Sequence, residues 1–355
     1  MPGGMRPFCA WTGLHTGTSR QPAGRLGRSL ILWRMSALAI RAIRGRRRRP
    51  GLALFSDPMA RDWILVCPLA AYRDMEGVFS RPVDLAEGVV LQRTPDWVKN
   101  EKLDFLSAPS REGVRDSSVS LCLEYEGDEL RGHQEAAEQE ILIANLALWL
   151  AKPAPVGTQS RLHFRLPRES DGGPVSAAWG GMLLHHGRDE REQFTTEDLD
   201  LAADLHRTLI KLGPDSLLWT ALNVLRSALC DEWWQSRFLF FWVAVETLFG
   251  PENAQEMAFR LSTRVALFLG TDHDNALSVR DTVRTGYRWR SRTVHGHRLD
   301  KLDGKKSEQI SHEVERLLRD SMVKILRDDE LVAVFNGRDR EEHLDSLAFR
   351  GVSAG

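Results

Sequence analysis

The feature that most constrains the fold is a very apolar segment set between amphipathic ones. Residues 232–250, EWWQSRFLFFWVAVETLFG, are apolar on almost every side of a helix, so this helix has to be buried among others. Its longest unbroken apolar run, FLFFWVAV, has eight residues, whereas a membrane-spanning helix needs about 20. Gly250 and Pro251 end the segment. The chain therefore predicts a helical bundle with this segment at its centre.

The segments that flank this central helix also have helical patterns. DSLLWTALNVLRSALC precedes it, and it is followed by NAQEMAFRLSTRVALFLG, DNALSVRDTVRTGYRWRSRTVHG and SEQISHEVERLLRDSMVKILRD. Five helices with short connections are sufficient for a compact bundle. We therefore assign residues 213–328 to an all-α helical bundle and residues 329–355 to a C-terminal tail.

Residues 59–212 have the mixed pattern of an α/β domain. Four segments have strand character, and AAWGGMLLHHG is a weaker candidate because of its glycines; the four are DWILVCPL, GVVLQRT, SVSLCLEY and SRLHFRL. Two segments have helical patterns, HQEAAEQEILIANLALWLAK and TEDLDLAADLHRTLIKL. The second is predicted to begin with Thr195 as its N-cap, with Asp198 three positions later. The predicted fold class is α+β with two domains, a mixed α/β domain followed by a helical bundle.

The first part of the chain has an unusual charge distribution. Residues 1–56 contain eleven arginines, no lysine and no acidic residue, which is typical of a transit-type leader or a nucleic-acid-binding arm. A disordered or untranslated segment is the reading that we favour for residues 1–58. Met35 and Met59 are plausible internal starts, since the composition becomes that of an ordinary folded domain near Met59.

Composition excludes several kinds of site. The formal net charge is -1, so the total charge identifies no partner. The four cysteines are widely spaced with no CxxC pair, which argues against a zinc site or a disulfide framework. Adjacent His185 and His186 point to opposite faces of a strand, so they do not predict a shared metal. We expect a cytoplasmic protein without a membrane segment, metal or cofactor.

Arg290 is the residue that most needs an explanation. On the helix predicted near residues 274–296, Val279, Val283, Tyr287 and Val294 form a buried stripe within a sector of about 80°. Arg290 falls inside the same sector. A guanidinium there is costly unless a carboxylate, a phosphate or another polar group meets it.

His295 follows Arg290 by five residues, about 140° around the helix and about 7.5 Å along its axis. Two such helices packed across a two-fold axis could line one cleft with both pairs. Arginine can bind a phosphate and stabilise charge developing during phosphoryl transfer. Histidine can move protons to and from a ribose 2′-OH. The spacing alone is common by chance, and two other registers, Arg288 with His295 and Arg290 with His297, also satisfy it.

The surroundings of Arg290 are basic. Between Arg280 and Lys306 the sequence has nine basic residues and three acidic ones, a charge pattern that suits an anionic partner such as RNA. The candidate RNA contacts are Arg284, Arg288, Arg292, His297 and Arg298. A solvated helix face would give the same pattern, so both interpretations stay open.

Four segments follow one another in the helical part of the chain: WTALNVLRSAL, FWVAVETLFG, RLSTRVALFLG and YRWRSRTVHGH. Their order resembles the Apea-like branch of the HEPN superfamily. The likeness covers residues 215–328, about a third of the chain. One signature lies at Val245-Glu246-Thr247-Leu248-Phe249, and the other at Tyr287, Arg290, Ser291, Val294, His295 and Gly296.

The resemblance implies a dimeric HEPN bundle that acts as a metal-independent endoribonuclease of a toxin, antiviral or RNA-processing system. It implies that Arg290 and His295 are catalytic, that Ser291 supports them, and that an antitoxin or regulatory partner is possible. Some HEPN domains bind RNA or protein without cutting, and others accompany nucleotidyltransferases, whose signature we do not find. Glu246, a carboxylate in apolar surroundings, either pairs with Arg290 or another buried arginine to fix the bundle, or orients Arg290 at the active site.

Overall fold

The computed structural model describes residues 62–69, 82–126, 130–153, 157–166, 173–183, 194–231, 233–251, 256–294 and 304–350. All of them belong to one compact unit, which begins at Gly51. Several sequence predictions lie outside the described residues; they concern residues 1–58, His185, His186, His295, His297 and Arg298.

The N-terminal half contains a six-stranded sheet in which all neighbouring strands are antiparallel. Its order is β2-β3-β4-β1-β5-β6, with β1 at Trp63–Pro68, β2 at Val83–Ala86, β3 at Val89–Arg93, β4 at Val119–Tyr125, β5 at Gly157–Arg165 and β6 at Ser176–Leu183. The five predicted strands are confirmed. Strand β2 was missed because it has only four residues and joins β3 through a tight turn at Gly88, where φ is 80°.

Both faces of the sheet are covered by helices. These are α1 (Asp96–Lys99), α2 (Ala108–Asp116), α3 (Leu130–Ala151) and α4 (Thr196–Leu209). Leu65 and Leu123 are paired across β1 and β4 and pack with α3 and α4, whereas Val66 packs with the side of α1 and α2. Helix α4 begins with the predicted capping box of Thr195 and Asp198.

A polar cluster lies between the sheet and α3. The fully buried His163 accepts or donates at both ring nitrogens, with Tyr125 Oη 2.8 Å from Nδ1 and Glu138 Oε1 3.3 Å from Nε2. Burial raises the pKa of Tyr125 to about 12. Both ring nitrogens of His163 therefore have hydrogen-bond partners within the protein, as a buried polar group requires.

The C-terminal half is helical. It consists of α5 (Leu217–Leu229), α6 (Trp234–Phe249), α7 (Met257–Leu269), α8 (His273–Val294), α9 (Gly304–Leu326), α10 (Asp329–Asn336) and α11 (Arg340–Arg350). The predicted central helix is α6, in which Phe238, Phe241, Trp242 and Leu248 are buried. Within the described residues, no helix is both long enough and apolar enough to cross a membrane.

The largest hydrophobic core joins the two halves of the chain. Trp149 and Leu150 of α3 and Leu209 of α4 belong to the same core as the buried residues of α5, α6 and α9. The core of the bundle therefore extends across the boundary predicted after residue 212, whereas the two cores of the sheet lie before it.

Residues 329–350, which we assigned to a tail, are part of the bundle. Phe335 of α10 is fully buried, with its ring 5.8 Å from Phe249 and 5.5 Å from Phe268. The assignment failed because the packing of α10 and α11 depends on distant partners, and both helices lie beyond the part that carries the family resemblance.

Helix α11 is also held by ion pairs with α7. The buried Arg264 donates to Asp345 Oδ1 at 2.7 Å and to Glu341 Oε1 at 3.0 Å, and the more exposed Arg260 contacts the same two carboxylates. Arg340 donates to the carbonyl of Leu248 at the end of α6. These contacts attach α11 to two other helices of the bundle.

Candidate functional site

Helix α8 carries the predicted site and packs on the bundle through its middle. Val283 and Gly286 are buried, and Tyr287 is partly buried against the core. Val294 was predicted to share this stripe, but half of its side chain (50%) is exposed. Val294 is the last described residue of α8, at the end of the helix and not in its packed middle. The buried contacts of α8 therefore end before Val294.

Gly286 allows α8 to approach α6 closely. A Cβ atom at this position would lie 2.7 Å from Cζ2 of Trp242 and 3.2 Å from Cγ2 of Val314. Carbon atoms in van der Waals contact are about 3.5–4.0 Å apart, so only glycine fits without a shift. Gly286 was not among the predicted site residues, although a glycine inside a helix is itself a sign of close packing.

The close approach brings Arg290 of α8 to Glu246 of α6. Arg290 Nη2 donates to Glu246 Oε2 at 3.0 Å, which confirms that these two residues meet. The Arg290 guanidinium carbon lies 5.7 Å from the ring centre of Tyr287, which in turn packs edge-on against Trp242. Arg290 is thus held by a carboxylate and an aromatic ring.

The Arg290 side chain is 26% exposed, so it is not sealed inside the bundle. A guanidinium has five N–H donors, and among the described residues the carboxylate of Glu246 is the hydrogen-bond acceptor that the structure gives it. The remaining donors suit an anion arriving from solvent, for example a phosphate, which arginine binds bidentately.

Glu246 lies in an environment that disfavours its charge. Burial raises the pKa of Glu246, and the nearby positive charge of Arg290 opposes this effect in part. Its Oε1 atom is buried without a hydrogen-bond partner among the described residues. Arg290 therefore offsets part of the cost of burying the Glu246 carboxylate, and Glu246 in turn holds Arg290 in position.

The exposed side of α8 carries a row of arginines. Arg284, Arg288 and Arg292 are all exposed and are spaced by four residues, which corresponds to about 6 Å along a helix. Arg292 is stacked over the Trp289 ring at 5.0 Å, and Arg288 donates to the carbonyl of Arg284. The three predicted RNA contacts within the described residues thus share one solvent-facing surface.

The remaining predicted site residues are divided between the described and undescribed parts. Ser291 directly follows Arg290 and is partly buried. His295, His297 and Arg298 lie just beyond the described end of α8, so the Arg290–His295 geometry stays a prediction. The part of the site that is described is the arginine, its carboxylate partner and the row of exposed arginines.

The candidate site contains no recognisable metal centre in its described part. Within the described ranges, no three side chains among His, Cys, Asp and Glu are grouped as a metal would require.

Comparison with known proteins found no matching family model, no matching curated protein and no matching solved structure. The function is therefore inferred from the residues of the site.

Proposed function

We propose that this protein is a HEPN-type, metal-independent endoribonuclease whose catalytic pair is Arg290 and His295. The observation that carries the proposal is the state of Arg290, which is fixed by Glu246 at 3.0 Å but keeps 26% of its side chain exposed. A structural arginine does not need this exposure, whereas an arginine that binds a phosphate does.

In the proposed reaction the ribose 2′-oxygen attacks the adjacent phosphorus, and the bond from phosphorus to the 5′-oxygen breaks. The proton of the 2′-OH passes to a base, and the leaving 5′-oxygen gains a proton, so the products are a 2′,3′-cyclic phosphate and a 5′-hydroxyl. His295 is the residue proposed to move these protons. Arg290 stabilises the charge that develops on the phosphoryl oxygens, and Ser291 supports it.

The row of Arg284, Arg288 and Arg292 supports an RNA substrate because it offers regularly spaced charges on the exposed side of the helix that carries Arg290. His297 and Arg298 extend this predicted contact surface. Glu246 is a positioning residue, since it contacts Arg290 and not the reacting atoms. The Trp289 ring is already covered by Arg292, so stacking on a base would require Arg292 to move.

The proposal includes a homodimer in which two copies of α8 place their Arg290 and His295 residues along one groove. Arg290 and His295 are separated by about 140° around one helix, so a second copy of the helix is needed to bring both kinds of residue to one substrate. A regulatory or antitoxin partner and a cytoplasmic location belong to the same proposal.

The test is cleavage of single-stranded RNA by the purified full chain in the presence of EDTA. Arg290→Ala and His295→Ala should each abolish cleavage, and the products of the wild-type protein should carry 2′,3′-cyclic phosphate ends. Arg207→Ala is the matched control, because Arg207 is an exposed arginine on α4. Unchanged cleavage in both site variants would exclude the proposed pair.

The second candidate function is a non-catalytic HEPN module that binds RNA or a protein. The Arg290–Glu246 ion pair favours it, because this contact explains a polar group on an apolar stripe without any substrate. In that case Arg290→Ala should lower the melting temperature strongly, and no preparation should cleave RNA.

A further inference from the structure

A cavity that α8 does not line is the strongest unassigned feature. It has a volume of about 340 Å³ and lies where the end of α3 and the side of α4 meet α9. Its apolar surface comes from Leu150, Ala151, Leu201 and Val323. Binding sites for small molecules have volumes of about 300–1,000 Å³, so the cavity can hold a compact ligand.

The polar surface of this cavity is mainly basic. Arg319, Lys324 and Arg327 line it together with one acid, Asp320. Arg319 Nη2 is ion-paired with Asp320 Oδ1 at 2.9 Å, so Lys324 and Arg327 are the remaining two charges of this lining. Asp320, Lys324 and Arg327 are exposed, which shows that the cavity opens to solvent at its charged edge.

Lys324 has an environment that suits an added negative charge. Its ammonium donates to the carbonyl of Phe268 and lies 4.8 Å from the centre of that ring. Partial burial lowers the pKa of Lys324. Among the described carboxylates, none is ion-paired with Lys324 or Arg327. An arriving anion would therefore meet two cations that no described acid neutralises.

We propose that this cavity binds a small organic anion with an apolar body, the acid group lying between Lys324 and Arg327 and the apolar part against Leu150, Leu201 and Val323. Charge complementarity selects the acid group, and the apolar surface excludes a purely inorganic ion as the best ligand. Carboxylates and phosphates share this chemistry. Because α8 does not line the cavity, the proposal is independent of the proposed nuclease site.

The test is isothermal titration calorimetry of the full chain with four probes. These are 1-naphthyl phosphate, 1-naphthoate, the uncharged 1-naphthylmethanol and inorganic phosphate. At least one aromatic anion should bind one site per chain with a Kd of about 1 mM or tighter, as expected for a ligand of this size. 1-Naphthylmethanol and inorganic phosphate should each bind at least about tenfold more weakly. The tighter of the two anions identifies the class of acid.

Three variants locate the binding. Arg327→Gln should weaken binding of the aromatic anion about tenfold. Arg316→Gln is the matched control: Arg316 is an exposed arginine of α9 outside the cavity, so its variant should leave binding unchanged. Ala151→Trp should fill the cavity and abolish binding. Since Arg327 is exposed, its variant should fold normally, which thermal unfolding checks.

Several results would overturn the proposal. One is the absence of saturable binding by both aromatic anions. Another is equal binding of 1-naphthylmethanol or of inorganic phosphate. The last is wild-type affinity in Arg327→Gln or in Ala151→Trp, which would place the ligand elsewhere.

Discussion

Replacing Gly286 by alanine should test how the site is assembled. The new Cβ atom would lie 2.7 Å from Cζ2 of Trp242, whereas carbon contacts begin at about 3.5 Å. The difference requires α8 and α6 to separate locally by about 0.8 Å, or Trp242 to change its position. Overpacking of this kind costs about 1–3 kcal/mol, and the gain of about 1 kcal/mol in helix propensity offsets part of it.

The net prediction is that Gly286→Ala lowers the free energy of unfolding by about 1 kcal/mol. Urea denaturation measures it, with a lower midpoint and an unchanged slope. The same separation should lengthen the contact of Arg290 with Glu246, so RNA cleavage should fall more than the loss of folded protein explains. Gly213→Ala is the matched control, because a Cβ atom at Gly213 would meet nothing within 4 Å.

A Gly286→Ala protein as stable as the wild type, or more stable, would refute this reasoning. It would mean that Trp242 can move without cost and that α8 does not depend on a glycine for its position. Wild-type cleavage in a measurably destabilised Gly286→Ala protein would instead show that the site tolerates a shift of α8.

Three further predictions concern the rest of the fold. Arg264→Met should destabilise the protein by about 1.5–3 kcal/mol in urea, because it removes a buried cation that donates to the Phe249 carbonyl and to Asp345. Arg260→Met, beside the same carboxylates but more exposed, should cost less than about 1 kcal/mol, and equal effects would contradict the account. Phe335→Ala should lower the free energy of unfolding by about 3–5 kcal/mol. Phe349→Ala, at a side chain that is 92% exposed, should change it by less than about 0.5 kcal/mol in thermal unfolding. A small effect at Phe335 would mean that residues 329–350 are a tail and not part of the bundle. Burial lowers the pKa of His206 from 6.5 to about 4. Between these pH values the unfolded chain binds a proton at His206 and the folded protein does not. The free energy of unfolding should therefore fall by about 3 kcal/mol as the pH falls through this range. His206→Leu should flatten this part of the pH profile, and an unchanged profile would show that His206 is not its source.

Much of the fold could be predicted from periodicity. Five of the six strands and the helices α3 to α9 follow from alternating or helical patterns that one segment carries by itself. The missed elements are short, and β2 has too few residues to show a period. Helices α10 and α11 escaped for another reason, since their packing depends on distant partners such as Phe249 and Arg264.

The candidate site could be predicted only in part. The position of Arg290 on an apolar stripe indicated that a partner was needed, and Glu246 was one of the partners that the sequence suggested. The role of Gly286 could not be derived, because it depends on which residue of α6 faces it. Val294 was misplaced because helix periodicity does not show where neighbouring helices stop covering a face.

The central claim is that Arg290 meets RNA phosphate and not merely the acid of Glu246, and a paired substitution tests it most directly. Arg290→Met alone should be destabilising because it leaves the carboxylate unpaired, and adding Glu246→Met should restore stability, since replacing both partners by apolar groups is nearly neutral. RNA cleavage in EDTA by this double variant is the decisive measurement. We predict a loss of at least about a hundredfold despite restored stability, and wild-type cleavage by the double variant would contradict the account.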